Sequence, residues 1–211
     1  MQFFSPDSKF TQIMTSVGEM MLLNFCWILA SLPLVTIGAA NAAMYTVMRR
    51  RLLQEGSGTI VPFFQAWWGN LKMGTLFWLV QVAVSSSLVL SLLLPLSTAM
   101  KVISGLVLVL VTLLFSLIYP QIARFRNRWF AYLRNAMILL LLRPGWVLLN
   151  FLLLLLPGIL FLLAPVEFLQ FGFIWVLFGF SVLFNLSAEI MLKVMQPLEE
   201  LSAQRYETHI G

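Results

Sequence analysis

Charge is scarce in this sequence. Only 10% of its 211 residues are Asp, Glu, Lys or Arg, against about a quarter in soluble domains. Apolar residues fill the deficit at 61% of the chain, and the mean hydropathy is +0.94. A soluble domain of this size exposes too much of its surface to hide such a composition, so the surrounding solvent is a lipid bilayer. Histidine and cysteine are scarcer still: one of each, His209 in the C-terminal tail and Cys26 in an apolar run. A single cysteine excludes an internal disulfide, and Cys26 reads as a small buried hydrophobe. A single tail histidine leaves no His-based metal site. There is no P-loop, no HExxH and no Ser-His-Asp set, so neither enzymatic activity nor a cofactor is expected. The first ten residues lack the basic segment, short apolar core and small-residue cleavage site of a signal peptide.

What is present is a series of long apolar runs. Uncharged intervals cover residues 20–48, 73–100, 102–123, 144–166 and 168–188. In lipid every backbone polar group must be paired within its own helix or in a closed barrel. These runs are continuous rather than alternating, which selects helices. A span needs about 20 apolar residues, so each of the last four intervals is one helix. The first is too long for one helix and is broken by Ser31-Leu32-Pro33 and then by Thr36-Ile37-Gly38. Pro33 disfavours helix at the residue before it. The reading is a helix from about Thr11 to Ser31, a tight corner, and a return helix over 35–53 that stops at Gly56-Ser57-Gly58. Pro33, Thr36, Gly38 and Asn41 are the corner residues: Thr36 and Asn41 satisfy the freed backbone groups, and the small residues 38–43 suit close helix packing.

The expected fold is all-α: a polytopic bundle of six transmembrane helices in three hairpins, or five if the return helix does not cross. It divides into residues 1–54, 59–123 and 124–192, with a cytoplasmic tail at 193–211 whose last stretch, 197–211, is expected to be polar and frayed. A pattern of aromatic, x, Ala, aromatic, x, x, Asn occurs at residues 64–70 and 129–135. Each copy precedes apolar spans, as a short amphipathic helix in the interface does, and residues 10–19 are a fainter third copy. Basic residues flank the connections near 49–72 and 124–143 and are nearly absent from those at 96–101 and 164–167. The positive-inside rule places the basic connections and the C-terminus in the cytoplasm.

Ionisable or amide side chains within apolar runs are candidate functional residues. Glu19, Asn24, Gln81 and Asn185 are the intramembrane set, with Asn41 and Asn150 beside them; the ordinary role of such amides is a hydrogen bond across helices. Glu189 and Lys193 are spaced for an i,i+4 pair. Ser85-Ser86-Ser87 can bond to its own backbone, and Pro157-Gly158 invites a kink. Arg124, Arg126, Arg128 and Arg134 form a basic face suited to anionic headgroups or a partner. Their aromatic interleaving superficially matches nucleic-acid readers, but a position between two spans excludes nucleic acid as a partner.

Residues 24–45 carry Asn24, Trp27, Ser31, Pro33, Thr36-Ile37-Gly38, Ala42-Ala43 and Tyr45. Phe3-Phe4-Ser5-Pro6-Asp7-Ser8 stand before them, and Phe63-Phe64, Trp67 and Asn70-Leu71-Lys72 after. On these residues the chain resembles the YesL family, membrane proteins of Gram-positive-type bacteria with a domain of unknown function; beyond Lys72 only hydrophobicity and span spacing agree. The resemblance implies a multi-pass protein of the bacterial cytoplasmic membrane, encoded beside sugar ABC transporters and polysaccharide-degrading enzymes. It implies no catalytic residue. The expected function is a non-enzymatic accessory to carbohydrate uptake, with the lipid bilayer and a sugar ABC-transporter permease as partners. The alternative is a small-solute transporter or channel with a polar cavity reaching Glu19, Asn24, Gln81 or Asn185. The oligomeric state is left open.

Overall fold

The computed structural model describes residues 9–210 apart from Ser57, with side chains from Phe10 to Leu198; the Phe3–Ser8 part of the family motif lies outside that range. Among the described residues the backbone is helical and has no strand. Helix α1 runs Lys9–Ser31 and stops two residues before Pro33. A single 3₁₀ turn, Leu34–Thr36, makes the corner, and α2 follows at Ile37–Leu52. The Thr36 hydroxyl donates to the carbonyl of Ala30 at 2.7 Å, which loses its helical partner at the break, and to that of Pro33 at 2.8 Å, which also accepts from the Thr36 amide.

Contacts at both ends show that α2 runs back along α1. Near the corner the Trp27 indole N–H donates to Asn41 Oδ1 at 2.9 Å. At the far end Arg51 donates to Ser16 and lies 3.4 Å from a Glu19 carboxylate oxygen. The chain therefore doubles back. Asn41 differs from expectation: it holds the indole of α1 rather than a freed backbone group, because it lies a full turn into α2, where the backbone is already paired. Beyond α2, Gln54, Gly56 and Gly58 take positive φ of 54°, 84° and 94°, which ends the helix sharply.

The second leg begins with α3, Ile60–Leu93, and returns through α4, Thr98–Arg124. Pro95 closes α3, and Ser97 caps α4 by accepting from the Met100 amide at 3.4 Å. Lys101 therefore lies in the first turn of α4 rather than in the connection: the proline and the cap set the boundary, and the charge does not. Lys72 likewise lies within α3. At 34 residues α3 is about 51 Å long, well over the ~30 Å hydrocarbon layer. Ser86 and Ser87 bond back to the carbonyls of Ala83 and Val84, as expected.

The third part comprises α5, Trp129–Leu142; α6, Pro144–Leu163; a short α7, Pro165–Gln170; and one turn, α8, at Gly172–Ile174. A π-helical turn, Trp175–Gly179, then leads into α9, Phe180–Ile210. The apolar interval after Glu167 is thus broken at Phe171 and bulged at Trp175. The backbone continues as helix through the tail to Ile210. The expected Glu189–Lys193 pair is not formed. Glu189 accepts from Asn185 at 3.2 Å, and the Lys193 ammonium sits 4.6 Å from the centre of the Trp146 ring. A partly exposed i,i+4 pair contributes only a few tenths of a kcal/mol, less than a cation over an indole face.

Among the described residues five stretches are long and apolar enough to cross a membrane: Phe10–Ser31, Ile60–Leu93, Thr98–Arg124, Pro144–Leu163 and Gly172–Leu198. Their outward faces carry exposed Leu, Val, Ile and Phe, as lipid-facing surface does. Helix α2 is not among them. It is enclosed by α1, α3, α4 and α9, and it buries Gly38, Ala39, Ala40, Ala42, Ala43, Met44, Tyr45, Val47 and Met48. The protein is a helical membrane bundle built around this central return helix.

Candidate functional site

Helix α2 can sit at the centre because it has almost no side chains on the face that meets α3. A Cβ placed on Gly38 would lie 2.1 Å from the Gly74 carbonyl oxygen, and one on Gly74 would lie 2.6 Å from the Ala39 backbone. The two backbones touch, and Gly38 serves this crossing rather than the corner's own conformation. The pattern of small residues announced one half of the contact; Gly74, isolated in an apolar run, gave no comparable signal.

Five helices then form a closed ring. Helix α2 packs on α3, α3 on α4, α4 on α6, α6 on α9, and α9 back on α2. Inside the ring lies a pocket of about 190 Å³. Asn41 and Tyr45 line it from α2, Trp78 and Gln81 from α3, Thr112, Ser116 and Tyr119 from α4, Phe151, Leu154 and Leu155 from α6, and Phe184 from α9. No Asp, Glu, Lys, Arg or His lines it. The Tyr119 hydroxyl donates to Gln81 Oε1 at 2.6 Å. The hydroxyls of Thr112 and Ser116 donate to their own helix at Leu108 and Leu113. Behind the wall the Tyr45 hydroxyl pairs with Ser187, and Ser187 donates to Asn150 Oδ1, both at 2.5 Å. The Asn150 amide nitrogen is buried there without a partner.

The candidate residues do not converge. Gln81 and Asn41 reach the pocket. Asn24 is fully buried elsewhere, against the π-helical turn: its amide nitrogen donates to the carbonyls of Trp175 at 2.9 Å and Val176 at 2.6 Å, and its Oδ1 accepts from the Ser181 amide at 2.9 Å. A π turn leaves backbone groups out of register, and Asn24 supplies their partners across the bundle. Asn185 turns along its own helix to Glu189. Glu19 pairs with Arg51 in a half-exposed cleft at the end of α2, lined also by Arg50, Glu55, Gly56 and Gly58. Among the described residues no group of three or more His, Cys, Asp and Glu is placed to hold a metal ion.

The fold also gathers the basic residues at one end. Arg49 and Arg124 line a common crevice with Met195, where the ends of α2 and α4 meet the middle of α9. Arg126 shares another crevice with Gln65 and Asn70 at the head of α3. The connection after α4 is held by Tyr132, whose hydroxyl donates to the Phe125 carbonyl and accepts from the Asn127 amide. Arg126, Arg128 and Arg134 are exposed around it. Beside them Trp129 and Phe130 stack at 3.6 Å, yet are 49% and 65% exposed.

A chain of this build is a multi-pass helical membrane protein. Residues 20–92 match the family model described as "Protein of unknown function, DUF624". That stretch runs from mid-α1 through the corner, α2 and nearly all of α3, and it contains most of the residues that carry the YesL resemblance. No curated protein and no solved structure matches the chain.

Proposed function

We propose that the protein is a non-enzymatic accessory of the bacterial cytoplasmic membrane that docks a carbohydrate ABC-transporter permease through its basic end. The observation carrying this reading is the ledge of Arg126, Arg128, Arg134, Trp129 and Phe130. Two stacked aromatic rings stay exposed amid arginines at the level where α4 ends. Aromatic and Arg side chains are the residues enriched at the centres of protein interfaces. The basic end faces the cytoplasm on this reading, where a transporter's coupling surfaces lie. The resemblance to the YesL family supplies the identity of the partner. The test is detergent pull-down of the tagged protein from cells grown on a plant or host polysaccharide, with mass spectrometry. Recovery of a permease or its ATPase, lost in the Trp129→Ala/Arg128→Gln variant, is expected. Recovery of neither from the wild-type protein would reject the reading.

Small-solute transport is the second reading, favoured by the pocket at Gln81. It needs a polar path through the bundle, whereas Asn24 and Asn185 are each engaged by protein partners away from that pocket.

A further inference from the structure

We infer that the pocket inside the five-helix ring is a binding site for one uncharged, ring-shaped molecule bearing hydrogen-bond-accepting oxygens. The inference requires neither docking nor transport. It rests on three properties of the lining. The first is size: a dry engineered cavity of about 150 Å³ accepts benzene, and this pocket holds about 190 Å³, so a single substituted six-membered ring fits. The second is shape. Trp78, Tyr45, Tyr119, Phe151 and Phe184 place five aromatic side chains around the space, and flat rings stack or meet edge to face with such walls. The third is polarity. Gln81 uses its oxygen to hold Tyr119, and Asn41 uses its oxygen to hold Trp27. The amide nitrogens of both residues have no protein partner among the described residues, leaving two N–H₂ groups as donors on the pocket wall. Neither nitrogen is sealed away from the half-open pocket, and an occupant with carbonyl or hydroxyl oxygens accepts from them. With no basic lining residue an anion has no counter-charge there, and the two amide N–H₂ donors disfavour the cation that an aromatic box could otherwise hold.

Such a molecule has two sources: the bilayer, as a lipid-soluble quinone ring, or water, as a sugar ring. The experiment separates them. The purified full-length protein in detergent is titrated with duroquinone, with durene, which has the same ring and methyl groups but no oxygens, and with methyl glucoside. Apparent melting temperature is read throughout. A saturable rise with duroquinone and none with durene assigns the site to a bilayer ring, and a rise with methyl glucoside alone assigns it to a water-borne one. In either case Leu155→Trp, which fills the pocket without removing a hydrogen bond, should weaken binding tenfold or more. The paired change Gln81→Met/Tyr119→Phe removes both ends of one hydrogen bond together and should do the same. Equal shifts with durene and duroquinone, no shift with any of the three, or unchanged affinity in a folded Leu155→Trp variant would overturn the inference.

Discussion

Helices α2 and α3 lie against each other along the broadest contact in the molecule, yet they are opposites. Helix α3 has 34 residues, is strongly apolar, and buries only Phe63, Gly74 and Phe77. Helix α2 has 16 residues, carries three arginines in its last turn, and buries nine of its residues. In a soluble protein the more hydrophobic helix would be the inner one. Lipid removes that rule, because tails are as apolar as leucine, and close association is left to small residues and hydrogen bonds. The apolar helix faces the bilayer, and the small-residue helix takes the centre. A helix sheathed by protein does not need the length or hydropathy of a span, which is why five stretches meet those criteria and α2 does not.

The largest effect that would break this contrast is at the crossing. Gly74→Leu places carbon where the Ala39 backbone already lies, and neither partner is a flexible side chain that can give way. We expect no monodisperse protein on size-exclusion chromatography in detergent. Gly69→Leu, five residues earlier on α3 with open space around its Cβ position, should stay within about 0.5 kcal/mol of wild type. Similar behaviour of the two variants would remove the distinction between the inner and outer faces of α3.

Next comes Asn24→Leu. It leaves the carbonyls of Trp175 and Val176 and the amide of Ser181 without their partner. At about 1 kcal/mol or more for each buried group left unpaired, the loss should be about 2–4 kcal/mol, read as a lower unfolding midpoint in denaturant titrations. A change below half that would mean the π turn satisfies itself. Thr36→Val removes the hydroxyl that caps the corner and should cost about 1 kcal/mol. The smallest effect is expected for Arg51→Gln: the Arg51–Glu19 pair is partly exposed, and such pairs contribute about 0–1 kcal/mol. A larger loss there than at Asn24 would move the stabilising centre from the helix crossing to the basic end.

The return helix was legible in the sequence because a run of small residues permits close packing, and the corner because proline acts through local backbone rules. Thr36 as a cap was legible for the same reason. The partners of Asn24 were not: its bonds reach more than 150 residues along the chain to a π turn whose apolar sequence carries no distinguishing mark. The repeated aromatic block shows a different limit. At 64–70 it runs unbroken into α3, whereas at 129–135 it opens a separate helix, α5, that ends where Pro144 disfavours helix at Arg143, which has φ −135° and ψ 53°. One proline, outside the block itself, makes the difference. The pocket was half legible. Gln81 stood out as an amide in an apolar run, but Tyr119, Thr112 and Ser116 became its neighbours only when α4 folded back.

The central claim is that the chain reverses between α1 and α2, and accessibility measures it directly. In a Cys26→Ala background, single cysteines at Thr15, Val35 and Glu55 are labelled with a membrane-impermeant maleimide in sealed, oriented vesicles. The account predicts that Thr15→Cys and Glu55→Cys react from the same side and Val35→Cys only from the other. Reaction of Thr15→Cys and Glu55→Cys from opposite sides would contradict it and make α1 and α2 a single crossing.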